Sequence, residues 1–257
     1  MARTLPRSFV ENYTSQLHNL TEIAQSKLAG ALASLNVDSP NFRNSVAGLF
    51  EYHARVSAEA AAEIATAFYR GASAYLTGVV PEVDAISGFE SDAAYAAAYA
   101  IEDSTASQAD MTSQLGRALG YQINSAAGRA SRNCGKQDKR RPRFARVPTG
   151  TETCAWCIST AGLGFHYMSE ETASHTHSGC DCRIVPSWGS SSVEGYDPDS
   201  YADYWRAAND RRQSGDIPED VQQRIDRARD RARENGKPWS DDLNGTEIVM
   251  RWMYGMK

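Results

Sequence analysis

Apolar residues recur at steps of three and four through the first half of the chain. Phe9, Tyr13, Leu17, Leu20 and Ala24 form one such row, continued by Leu28 and Leu32. That spacing puts them on one face of a helix. Ser39-Pro40 breaks the row, with Ser39 or Asn41 available as the next N-cap. A second helix is expected from near Asn41 through Phe50, Ala54, Ala61, Ile64 and Phe68 to Gly78, stopped by Val79-Val80-Pro81. A third helical stretch covers about Ser91 to Ser131, with a break around Ser104 to Asp110. Alanine is abundant throughout, which raises helix propensity and lets helices approach closely. No strand is expected in this half.

The texture changes at Asn133. Gly135 and Pro142 make the run from Cys134 to Arg146 a poor helix interior, so an extended, exposed connector is expected. From Arg146 to Trp188 the chain is turn-rich, with two short β-like pieces, Phe165-His166-Tyr167 and Arg183-Ile184-Val185-Pro186. A linker after Gly189 leads into charged helices. One spans Tyr201 to Arg212. The other, Glu219 to Glu234, has so few apolar residues that it should be solvated or dock on a partner. The predicted fold class is mainly α. It comprises a helical N-terminal region (1–132), a small α+β zinc-stapled module with a basic segment (133–189), and a linker with a charged helical tail (190–257).

At 257 residues the chain can bury a sizeable core. Its net charge of −5 argues against a surface that coats nucleic acid everywhere. No apolar run approaches the ~20 residues that span a bilayer. The N-terminal residues lack the apolar core of a signal peptide, so a soluble protein made and kept in the cytoplasm is expected. Four of the five cysteines lie between Cys154 and Cys182, in two tight pairs. In a reducing compartment, paired thiols beside histidine are more often metal ligands than disulfides.

Zinc takes four thiolate or imidazole ligands in a tetrahedron, and a Cys-x-x-Cys turn supplies two from one loop. Cys154-Ala-Trp-Cys157 is such a turn, and His177-Ser-Gly-Cys180-Asp-Cys182 supplies the other side. The expected set is Cys154 and Cys157 plus two of His177, Cys180 and Cys182, with His175 a further candidate. Buried thiols and two disulfides are the plain alternatives. A redox Cys-x-x-Cys would want a preceding strand in a βαβ setting, and none is read before Thr153. Hydrolytic zinc would need an open position and a placed base, and there is no His-Glu-x-x-His. Glu170 and Glu171 read as solvated loop carboxylates. A cysteine nucleophile with His166 or His175 as base would compete with metal for the same thiols. No catalytic residue is assigned.

The stretches Asn124 to Arg132, Arg143 to Cys157, Gly162 to Tyr167 and His177 to Trp188 together resemble the MuF-like head morphogenesis group of phage minor head proteins, as found in phages and prophages of actinobacteria. The combination of Arg146-Val147-Pro148, Cys-x-x-Cys and His-x-x-Cys-x-Cys carries the likeness over about a quarter of the chain. Ala161-Gly162-Leu163-Gly164 departs from it where related sequences often carry an arginine. The resemblance implies a structural virion component inside the head, associated with the portal protein and other capsid components; the closed-looking ligand set and the lack of a placed base lead to the expectation of no enzyme. It carries the metal positions onto Cys154, Cys157, His177, Cys180 and Cys182. The rival functions are a capsid maturation hydrolase using cysteine or zinc, and a nucleic-acid-binding zinc module.

One further feature is a basic run. Arg129, Arg132, Lys136, Lys139, Arg140, Arg141, Arg143 and Arg146 fall within eighteen residues. A solvated connector is the plain reading. Within it, Lys139, Arg140, Arg141 and Arg143 are the candidates for weak, non-specific contact with packaged DNA or for docking on an acidic portal surface.

Overall fold

The computed structural model describes residues 3–150, 153–166, 182–189 and 192–256. Its frame is a bundle of long helices: α1 (Arg7–Ala33), α2 (Phe42–Thr77), α3 (Ser91–Ser104) and α4 (Gln108–Gln137). The row read on α1 is buried at Val10, Tyr13, Leu17, Ala24, Leu28 and Leu32. α2 is the central element, ~54 Å long at 1.5 Å per residue. It buries Ala54, Ala58, Ala61, Ala65 and Ala72, and packs most extensively on α4, which contributes Ala126, Ala127 and Ala130. Side chains this small let two helix axes run close together. α1 and α2 form an antiparallel hairpin, sealed where the rings of Tyr13 and Phe68 stack at 4.4 Å. The expected break falls between α3 and α4, where the Asp110 amide donates to the Ser107 hydroxyl as an N-cap.

Residues 79–90 run extended between α2 and α3 without a strand partner. Side chains spaced one turn apart on α4 hold their backbone instead. Gln137 bonds both the amide and carbonyl of Asp84, Asn133 donates to Ile86 O, and Arg129 donates to Ser87 O. A long connector keeps its backbone groups satisfied in this way.

The region after Asn133 differs from its sequence reading. α4 continues through Gly135, because the missing side chain is what the next element packs against. A Cβ on Gly135 would lie 2.5 Å from Phe144 Cζ and 3.6 Å from Pro142 Cγ. Pro142 is buried rather than exposed, and it leads into strand β2 (Arg143–Val147), of which only Arg143 is exposed. β2 pairs antiparallel with β3 (Arg183–Ser187), Arg143 opposite Ser187 and Val147 opposite Arg183. A short parallel pair, β1 (Thr4–Leu5) with β4 (Ser192–Val193), ties the N-terminus beside the hairpin. Ala145, Val147 and Val185 join the helical core, so the hairpin is built onto the bundle. Phe165 and His166 lie in a turn rather than a strand, with Phe165 set edge-on against Tyr196. Tyr167 lies outside the described residues.

Helix α5 (Ala155–Ala161) follows β2, and the tail forms α6 (Pro198–Ser214), α7 (Glu219–Glu234), a π-helical turn (Asp241–Gly245) and α8 (Thr246–Tyr254). α7 is neither bare nor wholly solvated. Val221 and Ile225 are buried with Val249 and Met250 of α8, and Arg229 pairs with Asp241 at 2.8 Å. Ala155 and Ile158 of α5 belong to the same cluster. Gly162, at the end of α5, sits where a Cβ would stand 2.9 Å from the Ala202 amide, so α5 and α6 meet backbone to backbone.

Candidate functional site

Cys154 is the N-cap of α5, and its sulfur accepts the Cys157 amide at 3.3 Å. Cys157 and Cys182 are both buried and pack together, with Cys154 and Trp156 against them. The fold therefore closes the gap between the Cys-x-x-Cys turn and Cys182 at the start of β3. His175, His177 and Cys180 lie outside the described residues. Among the described residues, no group of three or more His, Cys, Asp or Glu side chains is arranged to hold a metal ion.

Two arginines frame this cluster, and neither was singled out from sequence as part of it. Arg146 is 2% exposed, and its guanidinium lies 4.5 Å from the Trp156 ring centroid, a cation–π contact. Arg183, 8% exposed, donates to Thr14 Oγ1, Asn124 Oδ1 and the Cys182 carbonyl, pinning β3 to α1 and α4. Both arginines and Cys182 line a cavity of about 20 Å³, room for about one water and for no organic substrate. Burial pushes the nearby Tyr13 hydroxyl up to about 12, with Arg183 opposing the rise, so it stays protonated at neutral pH. Alternation along a strand could have flagged these two arginines, but their charge reads as surface.

A strand does precede the Cys-x-x-Cys, contrary to the sequence reading, since β2 ends at Val147. The β2–β3 ladder is antiparallel, however, and so is not the parallel βαβ unit of a thioredoxin-like site. His166, a candidate base, is exposed in the turn after α5.

The basic run divides into two populations. Arg129 and Arg132 donate to the carbonyls of Ser87 and Gly128, and Arg132 and Arg146 are buried. Arg140 folds onto Asp138, bonding both carboxylate oxygens at 2.6 and 2.9 Å, and reaches Ser73 and Thr77 of α2 at 2.8 Å. The Trp188 indole also donates to Asp138, at 3.2 Å. Burial tends to raise the Asp138 carboxyl, but Arg140 and the other donors outweigh it and hold the group down at about 2. Lys139, Arg141 and Arg143 remain exposed. A surface groove beside α1, of about 380 Å³, is lined by Phe9, Tyr13, Ile64 and Phe68 and presents no carboxylate, histidine or cysteine.

A helical bundle with a β-hairpin built onto it defines a mainly α protein in which, among the described residues, Cys157 and Cys182 are buried. No helix among the described residues is long and apolar enough to cross a membrane. The chain belongs to the VG15 protein family, whose model matches residues 4–208. It is similar to the Gene 15 protein of Mycobacterium phage D29, 34% identical over a 74-residue alignment that covers 17% of this chain and 27% of the relative. The match thus spans about a quarter of that relative's length. These likenesses put the chain in a phage protein family. No solved structure matches it.

Proposed function

We propose that this chain is a structural minor head protein of a tailed phage or prophage, acting inside the head beside the portal protein and other capsid components. The phage family and the MuF-like motifs support the setting. The observation that carries a structural role is the burial of Cys157 and Cys182 at 0% and 8% exposure, at the join of hairpin, bundle and tail helices. α5 presents Cys157 to this join, Ala161 to the bundle core, and Ala155 and Ile158 to the tail core. Fixing α5 therefore fixes how the tail meets the bundle.

On this reading zinc is the staple. Cys154 and Cys157 would supply thiolates, with two further positions filled from His177, Cys180 and Cys182. The donor chemistry suits zinc, and Arg146 and Arg183 offset the negative charge that three or four thiolates bring. A closed set of thiolates leaves no open position for hydrolysis, so the role is not catalytic. Mass spectrometry of purified virions should find the chain at low copy number, and the phage's capsid and scaffold proteins should stay uncut when incubated with it. Virions that assemble normally without the chain, or cleavage lost in a folded Cys157→Ala protein, would overturn the reading.

A further inference from the structure

We infer that the turn between α4 and β2 is a cationic surface that grips the phosphates of a nucleic-acid backbone without reading sequence. Pro142 and Phe144 both face Gly135 of α4. Arg141 and Arg143, on either side of the buried Pro142, are both exposed. Lys139 is exposed on the same turn. Among the described residues no carboxylate forms an ion pair with Lys139, Arg141 or Arg143. The one acid within the turn, Asp138, is withdrawn: its side chain is 3% exposed and neutralised by Arg140. The opposing acids that approach are Glu82 and Asp84, on the connector that Gln137 holds to α4.

A second observation is independent of charge. Arg141 has φ 49°, the one non-glycine residue at positive φ among the described residues. Glycine or asparagine suits that conformation better than a long side chain, so backbone geometry does not explain an arginine there. A protein partner would want an apolar or aromatic anchor on the turn, and both apolar side chains are turned inward. Phosphate needs only the cations.

The inference stands apart from the virion reading, because it is tested on purified protein. The probe is a fluorescent random-sequence duplex DNA titrated at several salt concentrations. Three neutralised phosphates should give a slope of log K against log salt of about −3. Lys139→Gln, Arg141→Asn and Arg143→Gln combined should bring the slope near zero and weaken low-salt binding at least tenfold, with the far-UV spectrum and Tm retained. Arg141→Asn suits the positive φ, and Arg140→Gln should leave the slope unchanged. A combined variant that binds like wild type, or wild-type protein that prefers polyglutamate to DNA, would overturn the inference.

Discussion

The Tyr69 hydroxyl donates to Asp138 Oδ2 at 3.0 Å, joining the middle of α2 to the residue that ends α4 across 69 positions of sequence. Asp138 thereby gathers Tyr69, Arg140 and Trp188, one each from helix, turn and hairpin. Trp188 also stands edge-on to Tyr69, at 5.3 Å, and under the Arg140 guanidinium at 5.1 Å. A buried carboxylate this fully bonded specifies one arrangement of the three elements.

Tyr69→Phe removes one of these bonds and should cost about 1 kcal/mol. Asp138→Ala strands several donors and should cost roughly 3 kcal/mol. The double variant should cost less than the sum, because both changes remove the same bond. Urea denaturation of the four proteins checks this, and strict additivity would contradict a shared hub.

The depressed pKa of Asp138 predicts a stability change in acid. Its folded value of about 2 lies below the ordinary 3.8. The ionised form therefore stabilises the fold fully above about pH 4, and this contribution is lost as pH falls through about 2. The difference amounts to about 2 kcal/mol. Denaturation midpoints measured from pH 5 to 2 should fall more steeply for wild type than for Asp138→Asn. Parallel profiles would rule the contribution out.

Gly135→Ala should destabilise the protein by roughly 1–3 kcal/mol, since the new methyl would overlap Phe144 Cζ and Cε2. Gains in helix propensity of about 1 kcal/mol cannot offset a clash with a buried ring. Shortening the ring, as Phe144→Leu in the same chain, should recover part of the loss. Failure of that rescue would mean that the helix, not the hairpin contact, sets the cost.

Purified protein should carry about one zinc per chain. Chelation should loosen the segment from Arg146 to Trp188 and the seating of α5 while sparing the helicity of α1 to α4, whose core is alanine and leucine packing. Cys154→Ser and Cys157→Ser should each abolish zinc retention. Well-folded protein without zinc by elemental analysis, or a disulfide between Cys154 and Cys157, would sink the staple.

Periodicity located α1, α2 and the break before α4, since a helix with one buried face writes that face into its spacing, whereas α7 was legible from its charged composition. The two cysteine pairs stand out in the sequence, and of their described members Cys154, Cys157 and Cys182 pack together. Which residues surround them was decided by long-range packing. Arg146 and Arg183 look like surface charges in sequence, yet a strand laid on a bundle turned both inward beside Cys182 and Trp156. Gly135 reads as a helix stop, and its lack of a side chain instead lets α4 continue against Phe144. Arg140 is indistinguishable from Lys139 or Arg141 along the chain. Only the approach of Asp138, Ser73 and Thr77 folds it back onto the bundle. Spacing records which residues face the same way, whereas the partner across a contact can lie more than sixty residues distant.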